Sequence, residues 1–277
     1  MQTYKFDVCS LCVSMEVNTF LGRNGFAGSV ENCTLALTTY TGDPVYEEWH
    51  THDKSSISFL LDGTYEEELH RKQYTRTAGN VKFIAAGELH RCHGYTSSTR
   101  KINLEFNTAL LQALSVTEEQ LTEILPASLH TRHILLQLFR ELSENRKNIN
   151  AAAQQLLYGL LFNADGENMT GKTQPAWVPV LKELLHDEWN NNLSLQQMAA
   201  ATGVHPVTIS RYFPRYFSSS LGDYMRMMKV DKALVMIRST PLSLTQIAYD
   251  CGFADQAHFT RIFKSVTGFL PKEFRKL

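Results

Sequence analysis

Hydrophobic patterning changes character several times along the chain, and each regime predicts a different kind of element. Between about residues 5 and 107, short alternating runs recur: Ser56-Ile57-Ser58-Phe59-Leu60-Leu61, Val81-Lys82-Phe83-Ile84 and Ile102-Asn103-Leu104-Glu105-Phe106. Turn signals such as Asp62-Gly63 break them about every 8 to 15 residues, the rhythm of a small β-barrel. After Asn107 the period lengthens. Leu110, Leu111 and Leu114, then Leu121, Ile124 and Leu125, then Leu135, Leu138, Phe139 and Leu142, and finally Leu156, Leu157, Leu160 and Leu161 mark about four helices over 108–162. Residues 163–174 show no period and contain two glycines, so they read as a linker. Helical patterning returns over 175–277. The expected architecture is α+β and multidomain: a barrel over 1–107, helices over 108–162, a linker, and an all-α C-terminal domain.

In that last region one pattern occurs twice, about 49 residues apart. Leu193-Ser-Leu-Gln-Gln-Met-Ala-Ala-Ala-Thr-Gly203 is echoed by Leu242-Ser-Leu-Thr-Gln-Ile-Ala-Tyr-Asp-Cys-Gly252. Ser194 and Ser243 are good N-caps, and Gln197 and Gln246, three positions on, are placed to complete capping boxes. Leu195, Met198 and Ala199 recur as Leu244, Ile247 and Ala248, a stripe that a short amphipathic helix buries. Gly203 and Gly252 end these helices, because a left-handed backbone costs glycine little. A second helix follows each glycine. The first starts near Pro206 and turns Ile209 and Phe213 inward; the other turns in Phe259 and Phe263. The opposite faces carry Thr208, Ser210, Arg211 and Arg215 in one unit, and Gln256, Thr260, Arg261 and Lys264 in the other, side chains suited to base edges and phosphates. Two helix-turn-helix units, 193–213 and 242–264, are therefore expected. Tyr224, Met228, Ala233, Leu234 and Ile237 are spaced as one long helix holding them apart.

The run from Ser243 to Lys264, Ser-Leu-Thr-Gln-Ile-Ala-Tyr-Asp-Cys-Gly-Phe-Ala-Asp-Gln-Ala-His-Phe-Thr-Arg-Ile-Phe-Lys, followed by Thr267-Gly-Phe-Leu-Pro-Lys-Glu-Phe-Arg275, resembles the signature of the AraC/XylS transcription regulators. The resemblance covers roughly the last hundred residues. It implies a seven-helix domain over 175–277 whose two recognition helices enter successive major-groove segments of double-stranded DNA. By position, base contacts fall on Val207, Ser210 and Arg211 in the first unit, and on Gln256, Ala257, Thr260 and Arg261 in the second. His205 and Pro206 depart from the serine-rich start common in the family, and Val207 offers apolar contact only. The resemblance further implies a homodimer formed through 108–162 and activation by contact with RNA polymerase.

Charge divides the chain at the same place. From Leu193 onward eleven Lys and Arg face five Asp and Glu, near +6, whereas the whole chain is −1, so the remainder is near −7. A basic module joined to an acidic one suits counterion-driven DNA binding. At 277 residues and 43% hydrophobic content, two cores are the default. No basic-then-apolar leader and no long apolar run stand in the sequence, so a cytoplasmic protein without a membrane segment is expected. Cys9, Cys12, Cys33, Cys92 and Cys251 are odd in number and scattered, against a disulfide framework; Cys9 and Cys12 form a lone C-x-x-C.

Four histidines in the barrel segment carry the remaining chemistry. His50 and His52 leave the same face of a strand, and His90 and His93 follow Gly87. The spacing resembles the two cupin motifs: His50-x-His52, three residues, Ser56, six residues, Gly63; then Gly79, five residues, Ala85-x-Gly87, two residues, His90. Metal-binding cupins carry a glutamate where Ser56 stands and usually a proline where Ala85 stands. The expectation is a cupin-like sensory barrel whose pocket, lined by His50, His52, His90 and His93, takes an unknown small-molecule effector, with no cofactor required. A divalent metal on His50, His52 and His90 is an alternative, with His93 or Cys92 standing in for the missing glutamate. An assembly-only barrel and a cupin enzyme fused to a DNA-binding domain are two others. The sequence contains neither a nucleophile motif nor a phosphate-binding glycine loop, so it is read as a regulator and not an enzyme.

Overall fold

The computed structural model describes residues 22–30, 33–41, 47–69, 72–126, 128–144, 151–166, 174–191 and 193–277; the Cys9 and Cys12 pair lies outside them. Among the described residues eight strands come first: β1 (Arg23–Val30), β2 (Cys33–Thr39), β3 (Ser55–Asp62), β4 (Thr64–Leu69), β5 (Lys72–Thr77), β6 (Val81–Ile84), β7 (His90–His93) and β8 (Arg100–Phe106). They form two antiparallel sheets, ordered β1-β2-β8-β3-β6 and β5-β4-β7. The expected barrel is thus a pair of sheets rather than one closed ring among the described strands, with an isolated bridge between His50 and His90 at one side.

Register explains how the larger sheet is buried on both faces. Leu35, Leu104, Ile57 and Phe83 lie side by side across β2, β8, β3 and β6, as do Leu37, Ile102, Phe59 and Val81. This apolar face packs into one core with the helices that follow. Ile57, Ile102 and Leu104 are fully buried, each contributing about 1.5–3 kcal/mol of transfer free energy. The other face is polar: Thr38, Lys101, Asn103, Ser58 and Lys82 all point between the sheets and are buried.

Helices α1 (Thr108–Leu114), α2 (Glu118–Ile124), α3 (Leu129–Glu144) and α4 (Ala151–Gly166) match the four leucine-rich runs. Asn107 caps α1, and Thr117 with Gln120 forms a full capping box on α2. Because α4 continues to Gly166, positions 163–166 of the expected linker are helical; 167–173 lie outside the described residues.

Seven helices complete the chain: α5 (Trp177–Asp187), α6 (Leu195–Thr202), α7 (Pro206–Phe217), α8 (Leu221–Ser239), α9 (Leu244–Asp250), α10 (Gln256–Thr267) and α11 (Pro271–Phe274). α3 lies along this array. Leu129 joins the core of Trp177, Ile209, Phe213 and Tyr224; Arg132 and His133 both meet Asp231 on α8, His133 Nε2 at 2.8 Å. Gln137 donates to the Val266 carbonyl of α10 at 2.6 Å, and Arg140 pairs with Glu273 of α11 at 3.0 Å. Arg238, at the end of α8, reaches back to Asp62 of β3 at 2.6 Å. Leu135, Leu138, Phe139 and Leu142, the apolar stripe of α3, are buried within the chain's own core.

Candidate DNA-reading surface and ligand-binding interior

Each reading helix is fixed by local chemistry. Ser194 and Gln197 form the predicted capping box on α6, and Gly203 takes φ +70° at its end. Ser243 caps α9 in the same way, but Gln246 turns its amide to Asp250 at 2.6 Å, so the second box is only half formed. Donating from Nε2 to that carboxylate turns the Gln246 side chain along the helix, away from the Ser243 N–H that its Oε1 would otherwise accept. Pro206 sits at the first position of α7, where its missing N–H costs nothing, and the His205 ring accepts from the Val207 N–H at 3.3 Å. Asp255 caps α10.

Burying Ile209, Phe213 and Phe217 leaves Val207, Ser210, Arg211 and Arg215 on the exposed face of α7. Phe259 and Phe263 do the same for α10, exposing Gln256, Ala257, Arg261 and Lys264, with Thr260 half-buried among them. All nine candidate contact residues thus lie on the two second helices, clear of the α3 contacts except at Lys264, which shares a groove with Glu141 and Glu144. Thr245 holds the Gln256 amide oxygen at 2.6 Å, fixing which end of that side chain faces outward.

Between the two sheets the chemistry is different. His50 and His90 exchange backbone hydrogen bonds at 3.0 Å, which brings their rings within 4.4 Å; His52 lies 4.8 Å from one and 5.1 Å from the other. His50 Nδ1 approaches the Glu48 carbonyl at 2.7 Å and His90 Nδ1 the Glu88 carbonyl at 3.0 Å. Only an N–H suits those contacts, so in the neutral form of either ring Nε2 carries the lone pair. Burial, together with His50 and Lys82, pushes His52 down to about 4; burial and Lys82 push His90 down to about 3. Both are neutral at pH 7, the form a metal or a hydrogen-bonding ligand meets.

His93 does not join them. One residue beyond Cys92 on β7, it faces the other way and meets Glu68 at 3.2 Å, because alternation sends His90 and Cys92 inward and Arg91 and His93 outward. Cys92 is inside, but its thiol lies 3.9 Å from Glu67 and burial raises it to about 11.

Sequence reasoning missed the charged part of this interior. Glu67 on β4 is fully buried and pairs with Lys82 and with Arg76. Tyr40, Tyr65 and Tyr95 stack, with ring centroids 3.9 and 5.0 Å apart, and Lys101 Nζ lies 4.8–5.0 Å from all three. Tyr95 donates to Glu47 at 2.7 Å, and Lys101 donates to the Tyr95 oxygen at 3.2 Å. Ser58, Asn103 and Thr38 form a further buried chain at 2.6 and 2.7 Å. Buried polar groups of this kind are those that fix the orientation of a polar ligand.

Comparison with known proteins agrees with both halves. Residues 36–161 match the family profile described as AraC-like ligand binding domain, and 198–277 match that described as helix-turn-helix domain. The HTH-type transcriptional activator RhaS of Shigella sonnei (strain Ss046) is 24% identical over 262 residues, 88% of this chain and 93% of that protein. The activator RhaR of Shigella dysenteriae serotype 1 (strain Sd197) is 23% identical over 275 residues, 92% and 95% of the two chains. Among solved structures, ToxT from Vibrio cholerae O395 aligns with a TM-score of 0.37 at 9% identity, covering 88% of this chain and 97% of that one. The two profiles, in this order and joined to a paired set of reading helices, place the chain in the AraC/XylS family of DNA-binding transcription regulators, with a cupin-like ligand-binding domain ahead of its double helix-turn-helix.

Proposed function

We propose that the protein is a cytoplasmic transcription activator that reads two successive major-groove segments with α7 and α10, and whose DNA occupancy is set by a small molecule bound between the two N-terminal sheets. The observation that carries this reading is the pairing of two exposed basic reading faces with a separate buried polar interior in the N-terminal sheets. A ligand shifts the balance between arrangements only through unequal affinity for them. No helix among the described residues is long and apolar enough to cross a membrane. The relatives are transcription regulators, and we assign the chain no catalytic step. RNA polymerase is the partner such an activator contacts, and a homodimer formed through 108–162 is the expected assembly, using faces of those helices other than the buried α3 stripe.

Roles on the reading faces follow from side-chain type. Arg211 and Arg261 suit bidentate contacts to guanine, Gln256 suits adenine, Val207 and Ala257 suit thymine methyls, Ser210 and Thr260 suit either, and Arg215 and Lys264 suit phosphates. Arg211→Ala and Arg261→Ala are each expected to cost about 1–3 kcal/mol on the cognate site and little on random DNA, whereas Lys264→Ala weakens both alike. Fluorescence-anisotropy titrations on the two DNAs at several salt concentrations check this; equal losses for the arginine variants would overturn their base-reading role.

A second reading concerns the effector site. The two Nδ1–H groups fixed by backbone carbonyls leave His50 and His90 presenting Nε2, the arrangement in which histidine serves as a metal ligand. Together with His52 these residues would hold a divalent transition ion, which would supply a positive charge and a Lewis-acidic anchor for an oxygen-bearing effector.

A further inference from the structure

We propose that Glu47 is the fourth ligand of a divalent transition-metal ion held by His50, His52 and His90, and that Tyr95 and Lys101 position its carboxylate. The inference rests on the reading that the triad takes a metal, and it supplies a ligand that the histidine motif itself lacks.

The three imidazoles offer ligand atoms lying within 4.8 Å of one another. Donors bound at about 2.0–2.1 Å in a tetrahedron stand roughly 3.4 Å apart, so small side-chain rotations bring these rings onto one ion. Ser56, which stands where the motif's carboxylate would be, offers only a hydroxyl. Glu47 comes from a different place in the chain. Its backbone N–H donates to the Cys92 carbonyl at 2.8 Å, which ties it beside β7, and its Oε2 lies 3.9 Å from His50 Nε2. One carboxylate oxygen, Oε1, is taken by the Tyr95 hydroxyl at 2.7 Å, and that hydroxyl accepts from Lys101 at 3.2 Å. The other oxygen is left turned toward His50.

Electrostatics point the same way. Glu47 is buried, and among the described residues no lysine or arginine lies within ion-pair distance of it; the buried Lys101 ammonium attracts it from beyond the Tyr95 hydroxyl. A buried carboxylate is costly without a positive partner, and a divalent ion beside His50 is such a partner. Three nitrogens and one oxygen suit Zn²⁺, Co²⁺, Ni²⁺ or Fe²⁺ over the all-oxygen preference of Mg²⁺ and Ca²⁺.

The test uses the full chain, stripped with a chelator and titrated with Co²⁺ by visible absorption and with Zn²⁺ against a chromophoric indicator. Wild type is expected to take up one equivalent of either ion, and His90→Gln to lose it. Glu47→Gln is expected to weaken binding at least tenfold and to alter the Co²⁺ ligand-field bands. Tyr95→Phe, which keeps the carboxylate and removes only its anchor, is expected to lose a smaller factor, and it decides the matter if Glu47→Gln fails to fold by circular dichroism. Unchanged affinity and bands in Glu47→Gln, or in Tyr95→Phe where that variant decides, would overturn the role of Glu47 while leaving a three-histidine site. No uptake by wild type, or uptake indifferent to His90→Gln, would overturn both.

Discussion

Glu67→Gln is expected to destabilise the N-terminal domain by about 3–5 kcal/mol, because it removes one partner of a buried charge cluster and leaves the others in place. Glu67 has no exposed surface, and its two oxygens divide between Lys82, itself buried, and Arg76 at 2.7 Å. Glutamine fills the same space but leaves the Lys82 ammonium uncompensated between the sheets. Urea unfolding checks the size; a loss below about 1 kcal/mol would mean that water reaches Lys82. Adding Lys82→Met is expected to restore much of the loss, since an apolar isostere of a buried pair is often neutral. The same cluster sets an acid limit. Burial works to raise the Glu67 pKa, but Lys82 and Arg76 hold it down to about 2, below its ordinary 4.5. Its contribution is thus complete above about pH 4.5 and is lost as the pH falls toward 2. Glu67→Gln should lack that part of the wild-type pH dependence.

The second large effect separates two glycines that look equivalent in the repeat. Gly203 and Gly252 both have φ near +70°, so alanine at either costs about 1–2 kcal/mol in backbone strain. At Gly203 a Cβ would meet nothing within 4 Å. At Gly252 it would lie 2.8 Å from the Asn190 carbonyl oxygen and 3.2 Å from Lys229 Nζ, which donates to the carbonyl of Gly252 itself at 3.0 Å. Gly252→Ala must therefore push the α5–α6 connection away from the turn before α10, and a total near 3–4 kcal/mol is expected, against about 1–2 for Gly203→Ala. Thermal unfolding of the two variants side by side tests the difference. Equal losses would show that the Asn190 contact yields freely.

Much of the DNA-binding domain could be read from the chain because its elements are closed by local signals. Serine caps, glycine stops and Pro206 act within four residues of where they stand, so α6, α7, α9 and α10 fall where the repeat put them. The failure at Gln246 is equally local: Asp250, one turn on, was in plain view as a competitor. The interior was not legible for the opposite reason. Val81-Lys82-Phe83 and Lys101-Ile102-Asn103 alternate as a half-exposed strand does, so their polar positions read as solvent-facing. A second sheet covers that face, and nothing in the local pattern of β6 or β8 announces it. Glu67 meets Lys82 through a pairing 15 residues long and Glu47 meets Tyr95 through one of 48, beyond the reach of any local pattern. Likewise, the apolar stripe of α3 specifies that it is buried but not by which surface.

The placement of α3 bears on the spacing of the DNA site. Its first turn is packed into the core of the first reading unit, its middle is ion-paired to α8, and its last turns are bonded to α10 and α11. One stiff helix from the sensory half thus touches both reading units and the rod between them. Two helices entering neighbouring major-groove segments must keep step with a helical repeat of about 34 Å. A rotation of α3 too small to detach either unit would put them out of phase with each other, weakening both contacts at once. Regulation through such a part would appear as tolerance or intolerance of a base pair inserted between the two half-sites, rather than as a change in which bases are preferred.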